Sequence, residues 1–261
     1  MEFLLVLALV FSGVVLVGWL IRVSRRNRKA LLAYVHECGW TWEDRVPNVA
    51  ADGSAPMLPA WLRPAGLGAL QVRERHRVVY SRFFTGRLED QPLCGFERHM
   101  RRRQGKDEGV FSSHLLLQDL SLPVDLPEFL LVRSHGLTNA LAAVSDGVQR
   151  LDEKISERPT ASYRLRDGVP GYEAWRIHAT ESGERWLRSG PGERLAQLLE
   201  HFDAPAQQAF GAAGQIVLAE GPMSTVEQLK LLIANTARFG TLLGQALEGH
   251  SVASADGVIR E

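Results

Sequence analysis

Residues 3–21, FLLVLALVFSGVVLVGWLI, carry no charge and stop against Arg22-Val23-Ser24-Arg25-Arg26-Asn27-Arg28-Lys29. At about 1.5 Å per residue this run makes roughly 28 Å of helix, enough to cross a hydrocarbon core of about 30 Å. A helix of a water-soluble core shows solvent a polar face, and this run has none. Trp19 stands near its end, where an amphipathic ring suits the headgroup layer. A cleaved secretory signal fits badly, because Met1-Glu2 gives no basic n-region, the apolar run is too long and charge follows it where a small-x-small cleavage site belongs. The reading is an uncleaved signal-anchor, a single-pass transmembrane helix with its basic stop over residues 1–29.

The flank sets the expected orientation. Arg22, Arg25, Arg26, Arg28 and Lys29 follow the apolar run and no Lys or Arg precedes it. The positive-inside bias then places the short N-terminus outside and the C-terminal domain in the cytoplasm, at the inner face of the cell membrane. Two cysteines, Cys38 and Cys94, suit a reducing compartment, although an even count also permits one disulfide.

Outward from the anchor, residues 30–248 read as one α+β domain, with a sub-boundary near 135–165, and 249–261 as a disordered tail. Arg28–Cys38 reads as a helix that ends at Gly39 or continues the membrane helix. Trp40-Thr41-Trp42 alternates as a strand does. Residues 43–69 are rich in Pro, Gly and Ala and read as a long irregular connection.

Val78–Tyr80 and Phe83–Thr85, a turn over Gly86–Pro92, Leu93–Arg101, a second turn over 104–109, and Val110–Leu117 form an antiparallel β meander. Phe129–Val132 adds a strand. The C-terminal part alternates strand and helix: a weak helix over Leu137–Leu151, a strand over Tyr172–Ala179, a helix over Arg194–Phe202 and a strand over Gln215–Ala219. A last helix opens at Ser224-Thr225-Val226-Glu227, a capping box of hydroxyl and carboxylate three apart. Its apolar face holds Val226, Leu229, Leu232, Ile233, Thr236, Phe239, Leu243 and Leu247.

Charge is balanced overall but unevenly placed. Residues 70–106 hold ten Lys/Arg and four Asp/Glu, whereas 143–261 hold twelve and sixteen, so the membrane-proximal part is basic. The densest segment, His99–Lys106, together with Arg98, marks Arg98, Arg101, Arg102, Arg103 and Lys106 as candidate contacts to anionic lipid headgroups. A solvated hairpin turn explains the same residues, and nucleic acid is the least favoured partner.

Chemistry is harder to find. Cys38 and His36 stand two apart on a helix, facing different ways, and form no zinc spacing. The chain has no Walker A segment, no dinucleotide fingerprint and no G-x-S-x-G elbow. Ser189-Gly190-Pro191-Gly192-Glu193 precedes a helix, but Pro191 removes a donor and no Lys completes an anion cradle. Catalytic, metal and cofactor residues are therefore assigned to none.

The order of features resembles an uncharacterised family of actinobacterial single-pass membrane-anchored proteins. The residues that carry the likeness are the apolar helix and basic stop, Gly39-Trp40-Thr41, Phe84-Thr85-Gly86, Gly95-Phe96-Glu97, and Trp175-Arg176-Ile177-His178 before the Gln215–Ala219 strand. The chain lacks the Arg- and Phe-containing glycine motif of that pattern within 43–69. The resemblance implies the architecture and no activity.

The expectation is a non-enzymatic binding or scaffold module whose partners are the bilayer, anionic headgroups or another membrane protein. The alternative is an enzyme acting on a lipid or cell-envelope precursor, which calls for a pocket enclosing two or more of His76, His99, His114 and His135.

Overall fold

The computed structural model describes residues 2–45, 76–104, 107–120, 122, 124–133, 164–166, 168–203, 205 and 208–255. The expected 43–69 connection beyond Arg45, the weak helix at Leu137–Leu151 and His135 lie outside the described residues.

One helix, α1 (Glu2–Glu37), covers both the apolar run and the expected Arg28–Cys38 helix. Among the described residues no helix is long and apolar enough to cross a membrane, and the span expected over 3–21 includes positions, 3–10 and 14, whose side chains are not described. α1 ends in a Schellman motif. Gly39 takes φ +72°, its N–H donates to the His36 carbonyl at 2.9 Å, and the Trp40 N–H donates to the Val35 carbonyl at 2.9 Å. A left-handed C′ residue suits glycine, and the apolar contact that accompanies such a cap is here Trp40 with Val35.

Strands β1 (Thr41–Arg45), β2 (His76–Leu88), β3 (Gln91–Gln104), β4 (Asp107–Asp119), β5 (Leu126–Arg133), β6 (Arg164–Arg166), β7 (Trp175–Ala179), β8 (Ala209–Gly214) and β9 (Ile216–Glu220) form one sheet. Its order is β1-β2-β3-β4-β9-β8-β5-β7-β6, and every pairing is antiparallel. The meander is present, with a tighter first turn than expected. Gly86, Arg87, Leu88 and Pro92 belong to strands, and only Glu89 (φ +50°) and Asp90 (φ +66°) make the bend. Two successive positive φ values are the geometry whose twist matches paired strands.

Between β7 and β8 stand α2 (Glu181–Leu187) and α3 (Gly190–Leu199). Thr180 caps α2 by accepting from the Gly183 N–H at 3.0 Å. The 189–193 segment is a helix entry, with Ser189 at the N-cap and proline in the first turn, where the missing N–H costs nothing.

The last helix, α4, spans Val226–Ala255, so the tail expected from 249 is helical for its first turns. Its capping box lies one residue further on than expected. Thr225 Oγ1 accepts from the Gln228 N–H at 3.2 Å, and Gln228 Oε1 accepts from the Ser224 N–H at 2.9 Å and the Thr225 N–H at 3.2 Å. Glutamine serves in that reciprocal arrangement as well as glutamate does.

The sheet has two buried faces. On one, Phe84, Leu116, Phe129, Leu131, Ile177, Phe210 and Val217 meet Leu31 and Val35 of α1, Leu187 of α2, Leu195 of α3 and Leu229, Leu232, Phe239 and Leu243 of α4. On the other, Phe83, Cys94, Phe96, Leu115, Leu117, Leu130 and Leu218 form a second apolar cluster. Period-two alternation explains the division, since neighbours such as Phe83 and Phe84 or Leu115 and Leu116 go to opposite sides. Each fully buried Leu or Phe contributes about 1.5–3 kcal/mol.

Candidate functional site

The chain's asymmetry begins where α1 meets the sheet. Trp40 stacks on Phe84 with centroids 5.7 Å apart, and Trp42 stacks on Phe84 at 6.4 Å. Tyr34 meets Trp40 edge-on at 6.2 Å, and Lys230 of α4 holds its Nζ 4.9 Å from the Tyr34 ring centroid. The Trp40 indole donates to the Arg87 carbonyl at 3.0 Å. The rings fit because two glycines lie beneath them: a Cβ at Gly86 would stand 2.1 Å from Trp40, and one at Gly95 2.3 Å from Phe84. Burial pushes the Tyr34 hydroxyl up to about 12, helped by Cys38. Cys38 is exposed, Cys94 is buried and both are free thiols; burial also pushes the Cys94 thiol up, which makes it an inert core residue.

This junction sets a direction. Trp40 lies beside Val35, and Asp44, four residues along β1, pairs with Arg28. β1 therefore runs back along α1 towards its N-terminal end. β2 is antiparallel to β1, and β3 to β2, so the far end of β3 and the start of β4 point the same way as β1.

A bulge interrupts β2 on that path. Ser81 pairs with Glu97 and Phe84 with Gly95, so β2 holds one residue more than β3 across the interval, and Arg82 takes φ +52°. The bend collects a polar cluster on the helix-facing side. Glu97 is 8% exposed. It accepts from Ser81 Oγ at 3.3 Å, meets Arg82 Nε at 3.2 Å and lies 3.6 Å from His114 Nε2. Hydroxyl and imidazole each address the carboxylate, whereas a nucleophilic triad sets the imidazole between the other two. The cluster holds a buried carboxylate beside the bulge.

Beyond the bulge, the outer ends of β2, β3 and β4 form a ribbon. Its cross-strand rows are Tyr80–Arg98–Ser113, Val79–His99–Ser112, Val78–Met100–Phe111, Arg77–Arg101–Val110 and His76–Arg102–Gly109. Arg103 pairs with Glu108. By alternation positions 77, 101 and 103 fall on one face of the ribbon and positions 98 and 102 on the other. Lys106 lies outside the described residues.

The stop residues stand on α1. Arg22, Arg25, Arg26, Arg28 and Lys29 are all exposed, and Arg28 is the one bound to Asp44. Of the histidines of the enzymatic alternative, His135 lies outside the described residues, and the other three stand on the neighbouring strands of this ribbon. His76 and His99 occupy opposite faces of the ribbon, and His114 shares the His99 face beside Glu97.

Sequence reasoning missed Ser81, Arg82 and Glu97, whose only signal is a break in the alternation of β2. It also missed His178, which burial, with the Arg176 charge beside it, pushes down to about 4. Among the described residues no group of three or more His, Cys, Asp or Glu is placed to hold a metal ion.

No protein-family model matches the chain, and no curated protein matches it. Among solved structures it is similar to the mycobacterial trehalose monomycolate transport factor A, TtfA, with 12% identity and a TM-score of 0.43 over 85% of this chain and 94% of that one.

Proposed function

We propose that this protein is a single-pass, membrane-anchored binding module whose α+β domain is held at the inner face of the cell membrane. The observation that carries this reading is the contrast along α1. Phe11 is 70% exposed and Trp19 59%, and Val15, Leu16, Val17, Leu20 and Ile21 are about half exposed, while Leu31 and Val35 are 3% and 0%. Consecutive residues on a helix point about 100° apart, so positions 15–17 and 19–21 surround its axis. A protein groove covers one stripe of a helix; lipid covers all of it. The five basic residues after Ile21 fit the headgroup layer of the anionic leaflet.

Binding rather than catalysis fits the absence of a catalytic motif from the sequence and the order of groups around Glu97. The resemblance to actinobacterial membrane-anchored proteins agrees with the architecture. Paired C-terminal reporters, one active only in the cytoplasm and one only outside, test the reading on membranes washed with alkaline carbonate. Membrane retention with the cytoplasmic reporter active is expected. Release by carbonate would remove the anchor, and activity of the outside reporter would reverse the orientation.

A further inference from the structure

We propose that the outer ends of β2, β3 and β4 form a basic arm that meets the anionic headgroups of the bilayer holding α1. This rests on the membrane-anchored reading above and adds a second contact, made by the domain itself.

Three observations converge. The first is direction: Asp44 beside Arg28 makes β1 run towards the N-terminal end of α1, and β3 follows it. The second is reach. From Arg28 back to Ile21 is about 10 Å at 1.5 Å per residue. β3 continues from Glu97, which is level with the Arg45–Ser81 pair, to Gln104, and that length is about 23 Å at 3.3 Å per residue. The arm therefore reaches the level of Ile21 even when inclined to α1 by up to about 60°.

The third observation is charge. Arg77 stands directly opposite Arg101, and β3 adds Arg98, Arg102 and Arg103 against Asp107 and Glu108 of β4. Like charges in directly opposed positions destabilise a pair of strands, and phosphate oxygens between them reverse the sign. Basic positions on both faces suit a ribbon that meets the headgroup layer end-on, because both faces then enter it. Nucleic acid would need the arm free of the membrane, whereas the direction set by the Arg28–Asp44 pair aims it there.

The test uses the full chain in nanodiscs, with Cys38→Ser and a donor fluorophore on Ser112→Cys in the arm; Cys94 is buried and stays unlabelled. Energy transfer to a headgroup-labelled acceptor lipid is compared between phosphatidylcholine alone and a mixture with about 30% phosphatidylglycerol. The expected result is transfer at least about twofold greater with the anionic lipid, falling towards the neutral value in about 0.5 M salt. A variant with Arg98→Gln, Arg101→Gln, Arg102→Gln and Arg103→Gln should lose the lipid dependence.

The salt series on the unsubstituted arm keeps the test valid if that variant misfolds. Inserted protein with equal transfer in both lipids overturns the arm and leaves the anchor standing. Protein that fails to insert overturns both. Loss of the anionic-lipid signal on adding single-stranded RNA at physiological salt would assign the arm to nucleic acid instead.

Discussion

The two ends of the β2–β3–β4 ribbon are built from the same three strands and obey opposite rules. At the inner end Phe83, Phe84, Leu93 and Phe96 are buried, Trp40 and Trp42 stack on Phe84, and a two-residue turn closes β2 onto β3. At the outer end the cross-strand rows carry Arg77, Arg98, Arg101, Arg102 and Arg103 with Asp107 and Glu108 as the acidic members. Between them lie the bulge at Arg82 and the Glu97 cluster. Pairing of strands is a backbone property, so one ladder can join a packed base to a charged arm. What each end does follows from its side chains.

If that division holds, the base responds to loss of volume and the arm does not. Trp40→Ala removes the ring that joins α1, Phe84 and Gly86, and should cost about 3–5 kcal/mol. Denaturant unfolding in mild detergent measures it, and a loss below about 1 kcal/mol would break the comparison.

The packed sheet should also be sensitive to acid. His178 has its pKa pushed down to about 4 by burial and the nearby Arg176 charge, so the unfolded chain binds a proton that the folded chain refuses between about pH 6.5 and 4. Stability is then full above the unfolded value and falls with pH through that window, by about 3 kcal/mol. Unfolding curves across that range should be steeper in pH for the natural chain than for His178→Gln; identical slopes would sink the assignment.

Gly86→Ala tests the fit at the base. Its new Cβ would lie 2.1 Å from the Trp40 ring, and overpacking of this kind costs about 1–3 kcal/mol. A lowered midpoint with altered tryptophan fluorescence is expected. The smallest effect belongs to the arm and has the opposite sign. Arg101→Gln removes the like-charged pair with Arg77 and should raise stability by a few tenths of a kcal/mol up to about 1 kcal/mol at low salt, with the gain fading at high salt.

Much of this fold was legible where burial writes itself into local pattern. The α4 face was readable because Leu229, Leu232, Ile233, Thr236, Phe239 and Leu243 recur at helical spacing, and all six are buried. The strands of the meander were readable from their alternation. β8 escaped notice because AFGAAG carries almost no β-branched or large residue; its small side chains suit a strand whose Gly211 leaves 2.1 Å between a Cβ and the Phe129 carbonyl. α2 escaped because a seven-residue helix shows too little periodicity, although Thr180 caps it. The candidate arm was legible as composition, but its direction was not, because the Arg28–Asp44 contact joins residues sixteen apart.

The sequence by itself determined the apolar run and its basic stop, the sign of charge in 98–103 and the apolar stripe of α4. Each is a property of neighbouring residues, read through a fixed helical or strand period. Only the tertiary structure decided that α1 continues into the core, that β1 turns back along it, that Arg82, Ser81 and His114 gather on Glu97, and that the outer ends of β2, β3 and β4 point towards the N-terminal end of α1. Those depend on contacts between segments far apart in the chain, whose partners no local period encodes.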